Sequence, residues 1–480
     1  MAITRRQFLK RAGVAAAGTV MAPSLFGSPL VRRAFADTIG DRYLVILFLN
    51  GGNDGLNTVI PIDDSAGMLT DYNLARLGGG GGLRITPGQA SVPSIVPCTD
   101  PGTGTALGFH PGFASTIPML GGLSEMYDAG NVAVVQGTGY PDYSLSHESS
   151  RIIWQNANPA GLPSIASTGW AGRHLAQEYG PLDVRGVTID NSIAGEMRTT
   201  GTSVLAIRRL SRFGFPLDDY EELDETIYKD SYSDLYSEAG GSAQPLTSLV
   251  GSAGQATLES TESYPPLDEK YENERSAFDD AYGALGTSTA RDLREIAKVI
   301  YGVSSGEPGV NARFFQLDNG GYDTHSDQGG ADPNGRHYEL HSEVSNAVDL
   351  FFKDMNDMGV GSKVTMVIWS EFSRRIPQNS NGTDHGSQGP MFVIGESVNG
   401  GVYGNHPNID PLALDTRENT VYSQDAIDPF RSTDFRDVFG TLLKHWVNMS
   451  EGDILTNVMP LDIGPAATYW TVQDFDMGFL

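Results

Sequence analysis

The sequence predicts an α/β protein, a three-layer sandwich with a mostly parallel sheet at its centre. Three observations predict it. Short continuous apolar runs recur at Arg42–Leu49 (RYLVILFL), Asn131–Gln136 (NVAVVQ), Ala312–Leu317 (ARFFQL) and Val364–Trp369, the pattern of strands buried on both faces. Stretches with helical spacing of apolar residues lie between them, notably Ala290–Tyr301 and His337–Met358. Each strand breaks off into a polar, glycine-rich segment carrying a carboxylate, an imidazole or a hydroxyl, and ligands gather outside the carboxyl ends of such strands.

Taken in order, the chain opens on Thr4-Arg5-Arg6-Gln7-Phe8-Leu9-Lys10, the pattern of a twin-arginine signal, followed by an apolar run from Ala12 to Phe26 and an Ala34-Phe35-Ala36 cleavage site. Residues 1–36 are therefore expected to be removed on export, leaving a periplasmic or extracellular chain that has used the twin-arginine machinery as a partner. No later segment is apolar for long enough to span a membrane. The 480 residues carry a formal charge of −27, and no basic groove or interleaved basic and aromatic stretch points to nucleic acid. Cys98 is the only cysteine, so no internal disulfide braces the fold in an oxidising compartment.

The first strand ends in Asn50-Gly51-Gly52-Asn53-Asp54-Gly55, where glycines let the backbone turn off the sheet and Asp54 emerges. Residues Leu77–Ala106 read as loop, and the Gly78–Gly82 run lacks the Gly-Lys-Ser/Thr ending of a phosphate cradle. His110–Ala129 suits a helix. After the NVAVVQ strand come Ser144, Ser146 and His147, ahead of a helix carrying Ile152, Ile153 and Trp154. A serine there overlies backbone N–H groups, although an N-cap is an equal reading.

From about 199 to 285 the composition turns acidic and small-polar, with Asp218, Asp219, Glu221, Glu222, Asp224 and Glu225; this is expected to be an inserted cap or surface excursion with a solvated acidic face. The Ala312–Leu317 strand delivers Asp323 and His325. The Val364–Trp369 strand delivers Glu371 and, after a polar loop, Asp384 and His385, before a further buried strand at Pro390–Gly395. Asp434–Met449 suits a closing helix. Carboxylates, imidazoles and one hydroxyl at four strand ends are the ligand set for one or two divalent ions such as Zn²⁺ or Mn²⁺.

The twin-arginine leader, LFLNGGNDGLNT, SHESSRIIW, GGYDTHSDQ, and SEFSRR with NSNGTDHG together resemble the bacterial family called domain of unknown function 1501, placed in the alkaline phosphatase and sulfatase-like superfamily. The resemblance implies an alkaline phosphatase-like domain over 37–480. With the cofactor-independent phosphoglycerate mutases as a guide, it implies metal ligands at Asp54, Asp323, His325, Glu371 and His385, and a serine nucleophile at Ser146 or Ser144. Alternatively Asp384 and His385 form the metal-binding pair and Glu371 stands behind them. Phe372 occupies the place of a second-metal histidine, and the sulfatase C/S-x-P-x-R setting is absent around Cys98. The implied activity is metal-dependent hydrolysis of phosphate, or less readily sulfate, esters of a small molecule or polymer, with Arg374 facing the developing charge or paired with an acid. The alternative is a non-catalytic or weakly active binding protein on the same fold.

Overall fold

The computed structural model describes residues 39–76, 82–141, 143–158, 168–214, 225–410, 432–459 and 475–480. The leader, most of the Gly78–Gly82 run and the acids from Asp218 to Asp224 lie outside the described residues.

Among the described residues, nine strands form one sheet. In chain order its members are β1 (Tyr43–Asn50), β4 (Val132–Gly139), β5 (Val184–Thr188), β6 (Ser203–Ala206), β7 (Phe314–Gly320), β8 (Val364–Trp369), β11 (Gly389–Ile394), β12 (Gly401–Tyr403) and β13 (Thr433–Asp434). Two small ribbons lie apart, β2 (Val59–Pro61) with β3 (Leu107–Phe109), and β9 (Ser373–Arg374) with β10 (His385–Gly386). The order is β12-β4-β11-β8-β1-β7-β5-β6, with β13 also on β4. All neighbouring pairs are parallel except those of β11, which runs antiparallel to β4 and β8. A parallel crossover needs a covering helix, and between β8 and β11 the chain instead makes the β9–β10 ribbon and returns.

The sheet is mixed and mostly parallel, with helices on both faces, as the apolar runs predict. Alternation within β1 shows the three layers directly. Tyr43, Val45, Leu47 and Leu49 belong to one apolar cluster, and Leu44, Ile46 and Phe48 to the other. The first face is covered by α1 (Gly122–Asp128), α8 (Ser288–Ser305) and α9 (Arg336–Asp357); the second by α2 (His147–Asn156), α3 (Trp170–Glu178) and α10 (Phe435–Thr441).

Two expected helices are shorter than the sequence suggests. Within His110–Ala129 only a 3₁₀ turn at Pro111–Phe113 and α1 are helical, because Pro111, Pro118 and the Gly121–Gly122 pair interrupt the backbone ladder. The closing helix changes to a wider π turn at Leu442–Trp446 after α10.

The acidic stretch holds α4 (Glu225–Gly240), α5 (Pro245–Ser263), α6 (Pro266–Glu274) and α7 (Ser276–Leu285). α4 and α5 pair as a hairpin whose Ile227, Leu235, Leu246 and Val250 are exposed. α6 and α7 instead join the main core through Leu267, Tyr271 and Tyr282, and Arg275 ties them to α9 by an ion pair of 2.6 Å to Asp354. Among the described residues no helix is long and apolar enough to cross a membrane.

Candidate metal centre

The carboxyl ends of β1, β7 and β8 lie side by side in the sheet. The loops that leave them, together with the start of α2, bring His147, Asp323, His325 and His385 into one cluster. Close approach requires glycine at two places. Gly51 (φ +124°) would bring a Cβ to 2.4 Å from the Asp323 nitrogen, and Gly52 (φ +78°) would bring one to 2.4 Å from the Phe372 ring. The two glycines of the first strand end therefore let the β7 and β8 loops close over it.

Glu371 ends β8 with its side chain fully buried. It accepts hydrogen bonds from the Gly51 nitrogen at 3.0 Å and the Gly52 nitrogen at 3.1 Å. Its Oε1 also lies 2.7 Å from Nδ1 of His147, the first residue of α2. A carboxylate there makes Nδ1 the protonated nitrogen, so the His147 Nε2 carries a lone pair. That Nε2 is buried without a hydrogen-bond partner and faces Asp323 Oδ2 at 3.4 Å.

The other two imidazoles repeat the pattern. His385 turns Nδ1 to the carbonyl of Leu145 at 2.7 Å, and His325 turns Nδ1 to Asp384 Oδ1 at 3.1 Å. Each outward contact is an oxygen acceptor, which leaves each Nε2 unprotonated. These two nitrogens lie 2.9 Å from one another and 3.1 and 3.2 Å from Asp323 Oδ1. Three lone pairs thus converge on one carboxylate, an arrangement that repels itself unless a cation or protons lie among them.

The residues fit a divalent metal. Ligand atoms of His147, Asp323 and His385 all lie within 4.8 Å of one another, and His325 Nε2 lies beside two of them, 2.9 Å from His385 and 3.2 Å from Asp323. Ligands at 2.0–2.2 Å on a tetrahedral ion are separated by about 3.3–3.6 Å, close to the spacings here. Every imidazole is also oriented from behind, by Glu371, Leu145 or Asp384, as metal-ligating histidines usually are. Phe372 cannot coordinate. Its ring lies 4.8 Å from that of His147 and 4.7 Å from that of His385, fixing both ring planes by packing.

The neighbouring groups shift these titrations in different directions. Burial opposes ionisation of Asp323, but the Arg374 guanidinium, with the His385 imidazole beside it, outweighs this and holds the carboxyl at about 2. The Glu371 hydrogen bond raises the His147 pKa, whereas burial lowers that of His385.

The other sequence-predicted residues take different places. Asp54 does not join the cluster. It is fully buried, 2.8 Å from the Arg76 guanidinium through Oδ1 and 2.6 Å from Gln328 Nε2 through Oδ2. Arg374 is also buried, and donates to the carbonyls of Gly51, Gly52, Tyr322 and Thr383 and to Asp323 Oδ1. It ties the three loops together and presents no free face. Glu371 and Asp384 each touch an imidazole Nδ1, which puts both behind the ligands. Ser146 is the exposed N-cap of α2, accepting from the Ser149 nitrogen at 3.5 Å, and Ser144 Oγ accepts from the Ser146 nitrogen at 3.2 Å. Ser146 sits between Leu145, whose carbonyl holds His385, and His147. His147 itself is the residue that sequence reasoning did not count as a ligand; its place directly after Ser146 at a helix start was the available signal.

Residues 270–456 match the model of the family described as Protein of unknown function (DUF1501), a span that contains Asp323, His325, Glu371, Arg374 and His385. No curated protein matches the sequence. Among solved structures, the lipoteichoic acid synthase LtaP from Listeria monocytogenes is 10% identical, with 83% of this chain and 79% of that one covered and a TM-score of 0.29. A protein in the alkaline phosphatase superfamily from Vibrio parahaemolyticus is 10% identical over 81% and 67%, with a TM-score of 0.30. The PsFucS1 sulfatase from Pseudoalteromonas sp. is 11% identical over 80% and 68%, with a TM-score of 0.27. Likenesses of this size do not reach to the chemistry of the site.

Proposed function

From the premise of a chain that carries a DUF1501 region, we propose that it is an exported, metal-dependent hydrolase of phosphate or related esters. His147, Asp323, His325 and His385 hold one divalent ion, and the histidine-rich set favours Zn²⁺ over Mn²⁺. The observation that carries the reading is the convergence on Asp323 of three Nε2 atoms whose rings each turn Nδ1 to an oxygen acceptor. When bound, such an ion acidifies a nearby hydroxyl and offsets charge on a departing oxygen.

Ser146 is the nucleophile in this reading, because its neighbours on both sides belong to the centre and its hydroxyl stands at a helix N-terminus, which favours the approach of an anion. Its oxygen bonds to phosphorus as the ester P–O bond breaks. The alcohol leaves with a proton, and water then releases phosphate from the serine.

The test is a screen of phosphate monoesters, phosphate diesters and sulfate esters with the purified chain, supplied with Zn²⁺ or Mn²⁺. Turnover of one phosphate class is expected, abolished by Ser146→Ala and retained by Ser144→Ala. Absence of both metal binding and turnover would overturn the reading, and metal binding without turnover would favour a binding protein.

A further inference from the structure

Asp54, which stands outside the metal centre, is linked to two of its loops through a single amide. Gln328 Nε2 donates to Asp54 Oδ2 at 2.6 Å. Its Oε1 accepts from the hydroxyl of Thr383 at 2.7 Å and from that of Thr324 at 3.1 Å. All four side chains are buried. Thr324 lies between Asp323 and His325, and Thr383 lies two residues before His385. The same two threonines are joined directly, the Thr383 nitrogen donating to the Thr324 carbonyl at 3.1 Å.

An amide has one donor end and one acceptor end, and its orientation is set by its partners. A carboxylate only accepts, so Asp54 compels Gln328 to present Nε2 to it and Oε1 to the threonines. Arg76, also buried, pairs with that carboxylate at 2.8 Å through Oδ1 and leaves Oδ2 to Gln328. We propose that the chain Arg76–Asp54–Gln328 is a positioning relay that fixes Thr324 and Thr383, and through them the spacing of Asp323, His325 and His385 around a divalent cation. The relay rests on the metal-centre reading above and adds residues that touch neither ion nor substrate.

Zn²⁺ affinity, measured by competition titration against a chromophoric chelator, tests it alongside the melting temperature of the metal-free protein. The double variant Thr324→Val, Thr383→Val keeps shape and removes both hydroxyls. It should bind Zn²⁺ about tenfold more weakly or worse, the loss typical of outer partners of metal ligands, while Thr324→Ser, Thr383→Ser stays within about twofold of the parent. Asp54→Asn, which frees the Gln328 amide to flip, should match the valine pair; if it does not fold, the threonine variants still decide. Unchanged affinity in the valine pair, with or without a lower metal-free melting temperature, overturns the relay and leaves the metal centre standing. Absence of Zn²⁺ binding by the parent chain overturns both.

Discussion

His325 and His385 bring their Nε2 atoms to 2.9 Å from one another while each turns Nδ1 outward to an oxygen. At most one proton fits between two such nitrogens, and Asp323 Oδ1 lies about as close to both, at 3.2 and 3.1 Å. A pair held this way from behind has an excess of negative charge at the front, where a cation relieves it.

Metal addition should therefore stabilise the fold. With free Zn²⁺ at a hundred times its dissociation constant, the gain is about 2.7 kcal/mol, on the order of 3 °C in melting temperature for a chain of this size. Thermal unfolding with and without Zn²⁺ measures it, and His385→Ala should erase the difference. An identical melting temperature with chelator and with Zn²⁺ would refute the assignment.

Glu371 acts on the metal through His147. Replacing it by Gln offers an amide N–H₂ where the ring and the Gly51 and Gly52 nitrogens all look for acceptors. To satisfy the backbone, the amide must turn its donor to His147, which moves the ring proton to Nε2 and removes that ligand. Zn²⁺ affinity of Glu371→Gln should fall by about 10- to 100-fold; a calorimetric titration showing parental affinity would count against this tautomer argument.

The strands β1, β4, β7, β8 and β11 were legible because strands buried on both faces are largely apolar, whereas β5, β6, β12 and β13 were not, β6 (Ser203–Ala206) lying inside the stretch from about 199 expected to be a surface excursion. Strand ends likewise drew attention to Asp323, His325, Glu371 and His385, because carboxylates and imidazoles recur at four such ends, although any one of them alone is more often a turn or hydrogen-bonding residue. Asp54 shares that signature yet pairs with Arg76, and nothing local shows that an arginine from another segment will reach beneath the loop. Arg374 reads in sequence either as facing the developing charge or as paired with an acid; its five acceptors are four backbone carbonyls and Asp323, contributed by loops that only the sheet order brings together. The antiparallel run of β11 was hidden for the same reason: the connecting ribbon is made of polar residues that read as loop.

Glu196 gives a pH signature independent of the metal. It is buried with neither carboxylate oxygen in a well-formed hydrogen bond, and burial, then the nearby Asp318 charge, push its carboxyl from 4.5 up to about 8. Between these values the folded state keeps a proton that the unfolded state releases, so stability falls as pH rises, by up to about 1.4 kcal/mol per pH unit, and the contribution is gone above the folded value. Glu196→Gln cannot titrate and should flatten that decline. Denaturant unfolding of both proteins from mildly acid to mildly alkaline pH reads the difference, and parallel slopes would dismiss it.

Arg374 decides between scaffold and catalyst. Its side chain is fully buried, and its guanidinium spans the carbonyls of Gly51, Gly52, Tyr322 and Thr383 as well as Asp323. A lysine keeps the charge but cannot reach several of these acceptors at once, because one ammonium replaces a planar fork. Arg374→Lys should therefore lose roughly 3 kcal/mol of stability, the scale for leaving several buried backbone carbonyls without their donor. It should also weaken Zn²⁺ binding, since Asp323 loses its anchor. A residue that instead faced substrate would give parental denaturation midpoints and metal affinity with only turnover reduced, so chemical unfolding and Zn²⁺ titration of this one variant separate the two roles.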